Sequence, residues 1–133
     1  MRVFLDTNVL VSAFTTRGLC NELFKGVIVS CTLVVSGPLL AETRRILLEK
    51  FKAARETVDE AIAIIEEDAV KAPAASPLEI RIKDRDDILI LSSAIHGKAD
   101  FFVTGDKEVL ALGNLGPMRI LTPRDFWFVL RAH

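Results

Sequence analysis

The chain has 133 residues, half of them apolar and 26% charged, and a formal net charge of -1. This length and balance fit one globular domain over residues 1–133 and exclude a disordered chain, while the charge excludes a globally basic nucleic-acid binder but leaves room for a local basic rim. The apolar stretches are broken well short of the roughly 20 residues that span a bilayer, and the N-terminus lacks a basic and apolar leader, so no membrane partner and a cytoplasmic location are expected.

Val3 to Leu5 form a short apolar strand, and Thr7 to Phe14 place Val9, Leu10 and Ala13 at helical spacing before Thr15, Thr16, Arg17 and Gly18 break the pattern. Leu19 to Lys25 predict a second short helix. Thr32 to Val35, β-branched or leucine, predict a buried strand. Ser36-Gly37-Pro38 then starts a helix, because proline at the first helical position lacks only an N–H that would be unpaired anyway. Its stripe is Leu39, Thr43, Ile46, Leu47 and Lys50, with Glu42 on the border.

A further helix is predicted over Val58 to Val70, and the segment from Lys71 to Pro77 is a loop or short edge strand. Asp84 caps a helix whose Ile88, Leu91, Ser92 and Ile95 face the core and which ends at His96-Gly97-Lys98. Phe101 to Val103 make the next strand, Lys107 to Leu112 a short helix, Met118 to Leu121 a last strand and Pro123 to Arg131 a closing helix. Strands alternate with helices throughout. The expected class is therefore α/β, with a mostly parallel sheet of about five strands covered by helices on both faces. Cys20 and Cys31 read as buried free thiols, with no CxxC arrangement or histidine cluster nearby.

Four acids stand out against this framework. Asp6 follows the first strand, Glu42 lies in the helix after the second, Asp87 opens the Ile88 to Ile95 helix, and Asp106 follows Phe101 to Gly105. In open α/β sheets ligands bind outside the carboxyl ends of the strands, so these groups are placed to converge. Convergence is costly: two unit charges about 4 Å apart repel by roughly 4 kcal/mol at an effective dielectric near 20. Raised pKa values or bound divalent cations must compensate. Each acid also has a plainer use. Asp87 and Asp106 sit where helix caps are expected, Asp84 more so, and Glu42 complements a helix dipole. Asp6, ionised at the end of an apolar strand, has the least structural excuse.

The joint pattern is more specific. Asp6-Thr7-Asn8, Pro38 through Glu42, Asp84-x-x-Asp87 and Thr104-Gly105-Asp106-Lys107, in that order, resemble the PIN-domain family of metal-dependent nucleases, which includes VapC-like toxins of prokaryotic toxin-antitoxin systems. The resemblance covers essentially the whole chain. It implies a PIN-like three-layer fold and a catalytic, metal-binding set of Asp6, Glu42, Asp87 and Asp106, supported by Thr7, Asn8 and Thr104, with Asp84 as cap and Asp86 as an outer group. Arg85 departs from the family, many of whose relatives carry proline there. Single-stranded RNA as substrate, a cognate antitoxin as partner and a homodimer are further implications, the last consistent with the apolar Phe126, Trp127, Val129 and Leu130 of the closing helix.

Oxygen ligands point to Mg²⁺ or Mn²⁺, which keep several waters and use a few carboxylates plus substrate phosphate. A metal would lower the pKa of a bound water for in-line attack, and a second would stabilise the leaving oxygen. Phosphate contacts would come from Arg17, Arg44, Arg45, Arg85, Lys98 and Lys107. The competing readings are a catalytically silent PIN-fold module that binds RNA or protein, and a housekeeping RNA-processing nuclease. An aspartyl-nucleophile phosphatase is disfavoured, because Asn8 stands where its second aspartate is required.

Overall fold

Val3, Phe4 and Leu5 are all fully buried, although successive side chains of a strand point to opposite faces. The sheet they belong to is therefore covered on both sides. A computed structural model describes residues 1–74 and 76–133. Its central strand β1 (Arg2–Leu5) is followed by helices α1 (Thr7–Thr15) and α2 (Leu19–Ser30), then by β2 (Thr32–Val35), α3 (Gly37–Glu49) and α4 (Arg55–Glu66). The second half runs β3 (Val70–Lys71), α5 (Arg85–His96), β4 (Phe101–Val103), α6 (Lys107–Leu110), β5 (Asn114–Leu115), β6 (Met118–Leu121) and α7 (Pro123–Arg131).

The strand order is β3-β2-β1-β4-β6-β5, parallel except for the antiparallel β5–β6 pair. The sheet thus grows outward from β1 in both directions, and the gap between β1 and β4 is where a ligand crevice opens at the carboxyl ends. Register across that gap pairs Phe4 with Phe102, whose rings stack at 5.3 Å. On the far side Phe101 meets the fully buried Phe126 of α7. No helix among the described residues is long and apolar enough to cross a membrane.

Among the described residues the sheet has six strands rather than about five. The additional strand, β5, is a two-residue arm turned at Gly116, whose φ of +58° suits glycine. Helix α2 continues five residues past Lys25, through Gly26, on which Leu130 of α7 packs, 2.7 Å from the position a Cβ would take. Helix α4 runs Arg55–Glu66 rather than 58–70, leaving Val70 to pair with Val34 on the sheet edge. The loop expected over 71–77 includes residue 75, which lies outside the described residues. Helix α6 stops at Leu110, short of Leu112. In α5 every residue from Ile90 to Ala94 is buried, so the middle of this helix is enclosed on more than one side, while Ile88 and Ile95, nearer its ends, are only half-buried.

Gly97 closes α5 against β2 and the segment after β3. A Cβ there would fall 2.8 Å from Val34 Cγ1, 2.9 Å from Ala72 Cβ and 3.2 Å from the Ser93 carbonyl oxygen. Val34 is fully buried and cannot swing away, so Gly97→Ala should cost about 1–3 kcal/mol by overpacking. A thermal melt should show a drop of several degrees.

Candidate active site

Asp6 is placed by β1 and then held. Its backbone N–H donates to Val103 O of β4 at 2.9 Å, which locks the strand end beside the β4 exit. Only 5% of the residue is exposed, and three donors converge on its carboxylate: Thr7 N–H on Oδ1 at 2.8 Å, and Thr104 Oγ1 and Asn8 Nδ2 on Oδ2 at 2.7 and 3.1 Å. Burial pushes the Asp6 pKa up. The Thr104 and Thr7 hydrogen bonds oppose that rise, while the charges of Glu42 and Asp106 add to it. Asp6 also caps α1, so its structural and electrostatic uses coincide.

Asn8 and Thr104 stitch the two strand exits together. Asn8 Nδ2 lies 3.2 Å from Thr104 Oγ1, and Asn8 Oδ1 accepts from Gly105 N–H at 2.9 Å. Thr104 Oγ1 accepts from Asp106 N–H at 3.0 Å while donating to Asp6. An aspartate at position 8 would put a second carboxylate against Asp6 Oδ2, which explains the amide. Asp106 in turn caps α6, its Oδ1 accepting from Glu108 and Val109 N–H.

The remaining acids come from helices. Ser36 caps α3 by accepting from Leu39 N–H, and the buried Ser36 and Ser93 hydroxyls sit 2.7 Å apart, fixing the start of α3 against α5. That contact sets Glu42 and Asp87 across the same cleft. Asp84, not Asp87, is the α5 cap, accepting from the N–H groups of Asp86 and Asp87. No donor to the Asp87 carboxylate is present among the described residues. Its pKa is accordingly pushed up to about 7, by burial first and then by the charges of Asp84, Asp6, Asp106 and Glu42.

All four acids line one cleft of about 460 Å³, with Thr7, Asn8, Val11, Ser12 and, at its other end, Ile46, Lys50 and Phe51. Its ionisable donors are hard carboxylate oxygens, with no histidine or cysteine among the lining residues, a set suited to Mg²⁺ or Mn²⁺. Among the described residues no three such side chains converge tightly enough to ligate one ion directly. A cation that retains waters and bridges to carboxylates through them fits that spacing. Thr7 Oγ1, buried beside Asp6 with no hydrogen-bond partner among the described residues, is a further oxygen that an entering water can satisfy.

The expected basic residues are scattered. Arg44 pairs with Asp59 and Arg45 with Glu49 at 3.6 Å, both on the exposed side of α3. Arg45 and Asp86 line a separate groove of about 330 Å³ on the other side of Glu42. Arg17 lies exposed in the turn after α1, Arg85 and Lys107 are the first residues of α5 and α6, and none of the three lines the cleft. Lys98 follows the C-terminal end of α5, about 16 Å along the helix from Asp87, and so belongs to the opposite end of the sheet. Lys50 and Phe51 line the cleft as well; Glu42, Ile46 and Lys50 recur every four residues and so share a helix face, the one sequence signal that points to Lys50.

The PIN domain family model matches residues 2–108. VapBC2 from Rickettsia felis, solved bound to a DNA fragment from their promoter, is similar in fold, with a TM-score of 0.66 and 18% identity over 92% of this chain and 98% of that one. VapC20 from Mycobacterium tuberculosis, a Sarcin-Ricin loop cleaving toxin, has a TM-score of 0.62 and 14% identity over 88% of this chain and 98% of that one. No curated protein sequence matches the chain.

Proposed function

The chain belongs to the PIN-domain family, and on that premise we propose that it is a Mg²⁺- or Mn²⁺-dependent endoribonuclease that cleaves single-stranded RNA, acting as the toxin of a toxin-antitoxin pair. The observation that carries this reading is the meeting of Asp6, Glu42, Asp87 and Asp106 on one cleft from four separate parts of the chain. A buried capping acid needs donors, and Asp6 has them; four acids around one opening need a cation.

Asp6 is the fixed ligand in this proposal, held by Thr7, Asn8 and Thr104 so that its carboxylate does not reorganise on binding. Asp87 and Glu42 face it from α5 and α3, and Asp106 completes the set from the start of α6. When bound, the cation supplies an activated water and neutralises charge on the phosphate. The protein's part is to orient: the acids exclude a phosphate from their midst unless positive charge accompanies it.

The similarity in fold to VapBC2 supports a cognate protein antitoxin as partner, and the acidic cleft is the surface a basic side chain of such a partner would fit. A second copy of the chain is proposed to cover α7, where Phe128 stands 62% exposed beside the half-buried Trp127. The deciding experiment is incubation of purified protein with mixed single-stranded RNA, with Mn²⁺ or with EDTA. Cleavage with Mn²⁺ and none with EDTA is the expected result. A folded protein that cleaves under neither condition and binds no Mn²⁺ would instead be a silent module.

A further inference from the structure

Phe51 is a large apolar side chain that the fold does not use. It is 51% exposed and lies outside the hydrophobic cluster, yet it lines the four-acid cleft and is the one aromatic ring among the described residues that does so. Its backbone is nonetheless fixed. The Ile46 carbonyl accepts from both Lys50 and Phe51 N–H, at 2.9 and 3.3 Å, and Ala53 N–H returns to Leu47 O at 3.1 Å. Lys52 then takes a φ of +50°, a left-handed conformation that a residue other than glycine adopts only at some cost. The chain thus leaves α3 by a pinned, strained turn that presents the ring at the cleft mouth rather than folding it inward.

Charge divides the cleft in the same direction. Glu42 and Lys50 lie on one face of α3, about 12 Å apart along its axis, so the acids occupy one end and Lys50 with Phe51 the other. A cation beside an exposed aromatic ring is the combination that holds single-stranded nucleic acid, the cation on a phosphate and the ring on a base. A duplex keeps its base faces stacked on one another and cannot offer one to the ring.

We propose that Phe51 is a positioning residue: an unpaired base of the RNA, a few nucleotides from the scissile phosphate, stacks on its ring while Lys50 meets the adjoining phosphate. This deepens the nuclease reading and rests on it. The ring would choose single-stranded over paired substrate and set the register in which the strand reaches the acids.

The test compares Phe51→Ala and Phe51→Trp in the otherwise native protein, using single-stranded RNA and the same RNA annealed to its complement, with 2-aminopurine placed at successive positions. Phe51→Ala should raise KM for the single strand about 5- to 100-fold with kcat changed far less, and should abolish the quenching of one 2-aminopurine position; Phe51→Trp should restore both. Because the ring is half exposed, the melting temperature of Phe51→Ala should stay within a few degrees of the parent. Unchanged KM in Phe51→Ala, or equal losses on single strand and duplex, would overturn the stacking while leaving the nuclease standing. A parent protein that neither binds nor cleaves the single strand would overturn both.

Discussion

Asp6→Asn should reduce Mn²⁺-dependent RNA cleavage by about 10³-fold or more, measured as single-turnover rate on a labelled strand. The loss is that of a charged ligand, not of the fold. Asp6 accepts three hydrogen bonds, and an asparagine has one acceptor oxygen and an NH₂ group that must then face a donor. That mismatch costs about 1–3 kcal/mol. Relief of repulsion from Glu42 and Asp106 offsets part of the cost in metal-free protein, so the melting temperature without metal should move by only a few degrees. The clearer sign is the response to metal: Mn²⁺ should raise the melting temperature of the parent protein and fail to raise that of Asp6→Asn. An Asp6→Asn protein that still cleaves at a tenth of the parental rate would remove Asp6 from the centre of the proposal.

Asp87→Asn should abolish cleavage as well, but its effect on stability has the opposite cast. The Asp87 carboxylate has no donor among the described residues, and its pKa is pushed up to about 7 in the folded, metal-free protein, whereas in the unfolded chain it lies near its ordinary value. The folded state therefore binds more protons than the unfolded state between about pH 4 and pH 7. The contribution of this group to stability is fully present below that window, is lost as pH rises through it, and stays lost above it. The unscreened ceiling of this penalty is about 4 kcal/mol, and solvent around a carboxylate this open reduces it to the order of 1–2 kcal/mol. Without metal, Asp87→Asn should thus melt several degrees above the parent at pH 8 and at nearly the parental temperature at pH 4. Saturating Mn²⁺ should shrink the difference at pH 8. An Asp87→Asn increment that is the same at both pH values would show that the carboxylate is not crowded.

The contrast between these acids was only half legible in the sequence. That Asp6, Glu42, Asp87 and Asp106 meet could be read from strand and helix order, because parallel strands deliver their carboxyl ends to one edge. That Asp6 is surrounded by donors, while Asp87 has none among the described residues, depends on which side chains the fold brings together, and Thr104 is 98 residues from Asp6. Boundaries failed where tertiary contact overrode local preference. Gly26 persists in α2 with Leu130 packed where its side chain would be, and Val70 leaves α4 for a sheet edge that exists only once β2 is in place. The two-residue β5 is too short for any alternation to show. The basic rim was the weakest inference: a cation's sequence position says little about which end of a helix it occupies, and Lys98 proved to be at the wrong one. Lys50 and Phe51 do line the cleft; Lys50 continues the α3 stripe, but periodicity gives no sign that this stripe meets the acids, and Phe51 lies past the helix end where periodicity gives out.

The hydroxyl of Thr104 bonds to the side chains of Asp6 and Asn8 and to the backbone of Asp106 across the β1–β4 seam, and both flanks of that seam must already be assembled for it to do so. The cleft therefore has no partially working precursor. An N-terminal fragment holds Asp6 and Glu42 without their counter-wall, and a C-terminal one holds Asp87 and Asp106 without the strand that orients them. Assembly of the four-acid cleft and cooperative folding of the sheet become one transition, so a lesion deep in the core should disperse the acids by the same population shift that exposes the chain to proteolysis.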